Sequence, residues 1–126
     1  MAELEREVLD RRLRELGLVG PGAAEAPCRR FRINAGMAWA GEVARRGSDF
    51  LVLKNPRPFW GAPIGWPDLA GWDSVLIRPK DVPPEGLRVA IFAGDEGKTP
   101  NVRLSREQKI FRDVLVRHGG RFEVIR

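Results

Sequence analysis

Three side chains in this sequence have the types and spacing to work on a phosphodiester: Asp68, Glu96 and Lys98. Asp68 follows a proline in Gly65-Trp66-Pro67-Asp68-Leu69, and Glu96 and Lys98 stand two apart in Asp95-Glu96-Gly97-Lys98-Thr99. Hydrolysis of that bond requires the phosphate charge to be offset, a water to be made nucleophilic and the leaving oxygen to be stabilised. Bound Mg²⁺ does all three. It takes oxygen ligands, usually one or two carboxylates with waters and substrate phosphate completing the shell. Asp68 and Glu96 supply those carboxylates if their strands lie side by side. Alternation along a strand points Glu96 and Lys98 to one face. From there Lys98 could hold the attacking water or stabilise the pentavalent charge. Gly97 then faces away and leaves its carbonyl as a further metal ligand. Taken alone, acid-x-Lys is also the pattern of a surface ion pair, and Asp after Pro that of a turn former.

Other chemistry finds less support. Gly94-Asp95-Glu96-Gly97-Lys98-Thr99 imitates part of a P-loop, but Phe92 stands where the first glycine of that motif belongs. Its two acids would also repel phosphate. His118 is the only histidine. It falls at the C-terminal end of a helix, where the dipole favours a positive ring. Without a nucleophile-elbow serine, triad chemistry has no candidates. Cys28 is the only cysteine, so no disulfide forms within the chain, and no nearby Cys or His makes it a metal ligand.

The elements that must position the three residues follow from periodicity. Residues 2–16 read as a helix, with Leu4, Val8, Leu9, Leu13 and Leu16 on one stripe. Glu3, Glu5 and Glu7 fall early and Arg11, Arg12 and Arg14 late, as the helix dipole prefers. Residues 20–28 read as a surface loop. Phe31 and Ile33 then alternate with Arg30, Arg32 and Asn34. That is a half-buried strand whose polar face is basic and suited to nucleic acid. A strand continuing over 37–43 is expected, and Phe50 to Leu53 form another short one, broken by Asn55-Pro56-Arg57-Pro58. Residues 56–67 read as an irregular loop, in which Trp60 and Trp66 are either packing residues or base-stacking surfaces. Runs at 72–77 and 87–93 form a hairpin across a long turn, 80–86. Ser105 caps a helix at 106–117, Gly119-Gly120 ends it, and 122–125 is a last strand. The order is helix, several strands, helix, strand: an α/β or α+β sheet flanked by helices.

Composition bounds the function. A length of 126 residues suits one domain, 1–126, with its own core. The formal net charge of +5, carried mostly by arginine, favours a polyanionic partner, though a GC-rich coding bias would also enrich arginine. No apolar run is long enough to cross a membrane. The Glu- and Arg-rich N-terminus is unlike a signal peptide. A reducing, cytoplasmic setting is the expectation.

Five short stretches, in order, resemble the stand-alone VRR-NUC proteins of phages and bacteria, a branch of the PD-(D/E)xK nuclease superfamily. They are Arg32-Ile33-Asn34-Ala35-Gly36, Gly65-Trp66-Pro67-Asp68-Leu69, Glu96-Gly97-Lys98-Thr99, Leu104-Ser105-Arg106-Glu107-Gln108 and Gly119-Gly120-Arg121-Phe122-Glu123-Val124. The resemblance spans nearly the whole chain. It implies a restriction-endonuclease-like α/β fold, a mixed sheet flanked by helices in α-β-β-β-α-β order, and Mg²⁺ or Mn²⁺ held by Asp68 and Glu96. It makes Lys98 the catalytic lysine and Gln108 a helix residue facing the site. It also implies a metal-site glutamate from the first helix, best matched by Glu3, with Glu5 or Glu7 as alternatives. A homodimer that cuts branched DNA, such as a four-way (Holliday) junction, is implied as well. Two departures bear on the site. Gly97 replaces a branched apolar residue, and Gly94 and Asp95 replace apolar strand residues. The strand is therefore expected to bend or stop short at Gly94. The alternative function is a catalytically inactive nuclease fold that only binds DNA.

Overall fold

The computed structural model describes residues 2–78, Lys80 and 83–126, with the side chains of Ala2, Glu3 and Leu4 outside that description. Asp81 and Val82, part of the expected long turn, also lie outside it. The chain forms helix α1 (Ala2–Glu15), strands β1 (Cys28–Arg32), β2 (Met37–Arg46), β3 (Leu51–Trp60), β4 (Leu69–Ile77) and β5 (Leu87–Gly97), helix α2 (Arg106–Arg117) and strand β6 (Arg121–Ile125). This is a mixed α/β protein with a mostly β core, and five strands stand between the helices where the expected α-β-β-β-α-β order has three. A four-stranded sheet runs β1-β4-β5-β6, antiparallel except for the parallel β5–β6 pair. β2 and β3 form a separate antiparallel ribbon. Among the described residues, no helix is long and apolar enough to cross a membrane.

Alternation sorts the sheet into two faces. Leu69, opposite Asp95, faces α1 together with Ile125 of β6. Leu9 of α1 closes that core, with Val8 and Leu13 flanking it. Each such buried side chain is worth about 1.5–3 kcal/mol relative to exposure. The opposite face carries Phe92 and Phe122, which pack with Trp66 and with Phe111 of α2. α2 begins where expected. The Ser105 hydroxyl accepts from the Gln108 backbone N–H, and the Gln108 side chain accepts from the Ser105 N–H. This reciprocal cap satisfies two donors that a helix start otherwise leaves open.

Three expectations are corrected. The first concerns β1, where Phe31 is 54% exposed and Arg30 is buried. The sheet order makes β1 an edge strand, while α2 packs over β6 at the other edge. The face that holds Phe31 is therefore open at β1, and Phe31 lies against the Trp72 ring, 5.9 Å between centroids. Arg30 points to the α1 face and is no part of an exposed basic surface. The second concerns Asn55-Pro56-Arg57-Pro58, which does not break the strand, since β3 runs on to Trp60. In a two-stranded ribbon both strands are edges, where proline is tolerated. Asn55 takes a left-handed φ of 51° beside the register shift that absorbs Pro56.

The third concerns Gly94, where β5 continues unbroken for 11 residues to Gly97. A Cβ on Gly94 would stand 2.6 Å from Pro67 Cγ. The glycine lets Pro67 lie directly on the strand and so brings Asp68 up to it. At Gly65 a φ of 102° and a would-be Cβ 2.7 Å from the Glu107 carbonyl set the close approach of this loop to α2.

Candidate metal centre

Asp68 lies one residue before β4, and Leu69 pairs with Asp95, so Asp68 comes beside Glu96 at the end of β5. Its peptide is held from both sides. The Asp68 carbonyl accepts from Ile33 N–H at 2.9 Å, and its N–H donates to Glu96 Oε2 at 3.2 Å. Its own carboxylate accepts from Gly97 N–H at 2.9 Å. Each acid is thus anchored to the other's backbone neighbourhood, so the two strands fix the pair.

Glu96 is 2% exposed. Its Oε1 accepts from Gln108 Nε2 at 2.8 Å and has Lys98 Nζ at 3.6 Å. Gln108 therefore links the cap of α2 to this carboxylate: one end of its amide holds Ser105, the other Glu96. Glu96 and Lys98 share a face of the strand, as alternation requires. The third carboxylate is Glu5 of α1. Glu5, Asp68 and Glu96 each offer an oxygen, and the three lie within 4.8 Å of one another. Glu7 is exposed, and the side chain of Glu3 lies outside the described residues.

Burial and the crowding of negative charge together raise two of these acids. Burial, then the Asp68 carboxylate, push Glu96 up to about 7, while Lys98 pulls the other way. Glu5 is raised for the same two reasons, burial first. A buried carboxylate prefers its neutral form, and a like charge beside it adds to that preference. The donor set is all oxygen, two of its three members half-buried and one buried, with a lysine at its margin. It fits a hard divalent cation such as Mg²⁺ or Mn²⁺.

On the other face of β5, Asp95 is held by Arg30 Nε at 2.8 Å and Arg12 Nη2 at 3.3 Å. Arg30 also meets Asp73 at 2.9 Å and donates to the Trp72 and Arg29 carbonyls. Removing one partner from a buried ion pair costs about 3–5 kcal/mol, because the other charge is left unpaired. This network fixes β5 one residue away from Glu96. Arg30 thus acts from behind the site, Arg32 pairs with Asp10, and Asn34 uses its carbonyl to accept from Ala62 N–H. Arg12, Asp73 and Asp95 carry no local signal of this role, because the pairs span 43 to 83 positions.

Glu5 had a signal. It lies four residues before Leu9, the fully packed position of α1. Residues four apart share a helix face. The phase of the stripe, set by Leu9 and Leu13, therefore carries Glu5 towards the sheet.

An apolar groove of about 460 Å³ lies elsewhere, between α2 and the Pro63–Trp66 loop, lined by Ile64, Phe92, Ile110 and Val114 among others. It holds none of the three carboxylates and is a packing surface. No protein-family model matches this chain, no curated protein matches it, and no solved structure matches it.

Proposed function

We propose that this protein is a Mg²⁺- or Mn²⁺-dependent DNA endonuclease with a restriction-endonuclease-like core, of the VRR-NUC kind that its motifs resemble. The observation that carries the reading is the convergence of Glu5, Asp68 and Glu96 within 4.8 Å, with Lys98 beside them. These residues come from α1, the start of β4 and the end of β5, far apart in sequence. A bound divalent cation would offset phosphate charge and acidify a coordinated water.

The chain's own residues do the rest. Asp68 and Glu96 would hold the cation, the Glu96 carboxylate accepting from Asp68 N–H and the Asp68 carboxylate from Gly97 N–H. Glu5 completes the donor set from the opposite wall. Gln108 holds the Glu96 carboxylate in one orientation. Lys98, on the Glu96 side, is placed to orient the attacking water and to meet the charge that builds on phosphorus. The net charge of +5 favours the polyanionic substrate. A two-fold pair of such sites suits the two symmetric strands of a four-way junction. The inactive DNA-binding alternative is motivated by the strand glycines Gly94 and Gly97, both of which lie within the unbroken β5.

The test is a gel assay with a labelled four-way junction beside a matched linear duplex, in Mg²⁺, Mn²⁺ or EDTA. Wild type is expected to cut with metal only, and Lys98→Ala to lose about 10²–10³ in rate. Retained DNA binding with no cutting in any metal would refute the nuclease reading and favour the binding module.

A further inference from the structure

The α2 side of the four-stranded sheet is only partly covered. Along β4, Trp72, Ser74 and Leu76 point to that side by alternation. Cross-strand partners share a face. β1 therefore adds Arg29, opposite Trp72, and Phe31, opposite Ala70. β5 adds Arg88, Ala90 and Phe92, opposite Leu76, Ser74 and Trp72. α2 packs against β6, at the far edge of the sheet, and leaves the half made by β1 and β4 in solvent. Phe31 and Trp72 are accordingly 54% and 42% exposed, with their rings against each other. Aromatic side chains gain much from burial, so two adjoining rings left in water mark an interaction surface.

The two sides of this sheet differ in charge. Asp73, Asp95 and Glu123 project to the α1 side, where Arg12, Arg30 and Arg121 neutralise them. Among the strand residues on the α2 side, Glu96 is the single acid, and it belongs to the metal centre. Arg29 and Arg88 flank the aromatic pair, and neither forms an ion pair among the described residues. Arg88 Nη1 donates only a long bond, 3.4 Å, to Ser74 Oγ. A hollow of about 460 Å³ opens beside Trp72, with Arg29, Ser74 and Arg88 on its walls. The 24–27 loop closes one side of it, and Glu25 is its one acid.

This surface runs into the metal centre. Phe92 and Glu96 lie four apart on β5, on the same side of the strand. Phe31 stands two positions from Ile33, whose N–H donates to the Asp68 carbonyl. At about 3.3 Å per residue, Phe31 and Trp72 sit roughly 7 and 13 Å along the sheet from the level of Asp68.

We propose that Phe31 and Trp72 form a stacking platform for unpaired nucleotides of the DNA substrate, with Arg29 and Arg88 meeting the phosphates that link them. The choice of DNA rests on the hydrolytic reading of the metal centre. Within a duplex each base is covered by its neighbours, whereas an unpaired base offers an open ring face to an aromatic side chain. The substrate class is therefore branched DNA with a single-stranded arm beside the cut, not continuous duplex. A protein partner would have to bring an acid to each of the two arginines, which a phosphate backbone supplies at every step.

Fluorescence anisotropy in EDTA reads binding without cleavage. The probes are a labelled thymidine single strand, the same strand with abasic sites in place of its bases, and a blunt duplex. Wild type is expected to bind the thymidine strand more tightly than the abasic one, a comparison that needs no variant. Phe31→Ala and Trp72→Ala, with wild-type circular dichroism, should each weaken thymidine-strand binding by about 5- to 150-fold and leave duplex affinity unchanged. Arg88→Ala should lower the slope of log affinity against log salt by about 0.7. Equal affinity for the thymidine and abasic strands, no binding of the thymidine strand, wild-type affinity in both aromatic variants, an equal loss of duplex binding, or an unchanged salt slope would each overturn the proposal. Junction cutting that persists beside any of these results keeps the nuclease and removes the platform. Stacking without cutting in any metal removes the nuclease and keeps the platform.

Discussion

Replacing Asp68 with asparagine removes one negative charge from the Glu5–Asp68–Glu96 cluster while keeping the shape of the side chain. The amide oxygen can still accept from Gly97 N–H, which Asp68 does now. The new N–H₂ group can donate to the neighbouring carboxylates. The metal-free protein should therefore become more stable as it loses its function. The magnitude starts from Glu96, whose carboxyl is pushed from 4.5 to about 7. At about 1.4 kcal/mol per unit, keeping Glu96 ionised costs the fold at most about 3.5 kcal/mol. Burial is the larger cause and survives the substitution; the Asp68 charge is the second and does not. Relief of roughly 1 kcal/mol, after allowing for solvent around the half-exposed partners, plus a hydrogen bond worth about 0.5–1 kcal/mol, gives roughly 1–2 kcal/mol in all.

The sign with pH follows from linkage. Glu96 holds its proton more tightly folded than unfolded. That stabilises the fold fully below pH 4.5, and the benefit is lost as pH rises through about 7. The gap between variant and wild type should be small at pH 5 and full at pH 8, where it amounts to about 3–8 °C in Tm. Mn²⁺ should reverse the order, because a ligand at 100 times its Kd adds about 2.7 kcal/mol to wild type alone. Thermal melts by circular dichroism at pH 5 and 8, in EDTA and in Mn²⁺, read all four conditions. A lower Tm for Asp68→Asn in EDTA at pH 8, or equal stabilisation of both proteins by Mn²⁺, would refute the reasoning.

Protons compete with the cation for Glu96, so Mn²⁺ affinity should weaken several-fold between pH 8 and pH 6 by calorimetric titration; a pH-independent affinity would contradict this. Gly94→Ala puts a methyl 2.6 Å from Pro67 Cγ and should cost about 1–3 kcal/mol and displace Asp68, so that Mn²⁺ affinity falls with stability. Unchanged urea midpoint and affinity would count against it. Arg30→Ala should lower stability by about 3–5 kcal/mol, since Asp95 is left buried beside a single remaining arginine. A stable variant with weakened DNA binding would instead restore Arg30 to the exposed basic surface expected from the strand pattern.

Local signals identified the helices and the cap with residue-level accuracy. The apolar stripe of α1 and the Ser105 cap are properties of a few to fourteen neighbouring residues, and such patterns are written in the chain itself. The strand runs at β4, β5 and β6 were legible for the same reason. What alternation could not tell was which face of β1 would be covered. Phe31 looked like the inward residue because it is apolar. The position of β1 at the sheet edge exposed it, and the stacking of α1 buried Arg30.

The residue types and order of the site, Asp68 then Glu96 and Lys98, were set by sequence alone, as was the oxygen character of the donor set. Tertiary structure decided that these groups meet, and chose Glu5 from the acids of α1 whose side chains are described. It also kept β5 straight through Gly94, because Pro67 takes the space a side chain would fill. The physical reason is the same throughout. Periodicity reports the preferences of a segment taken alone, whereas burial, close approach and pKa depend on what a distant segment places against it.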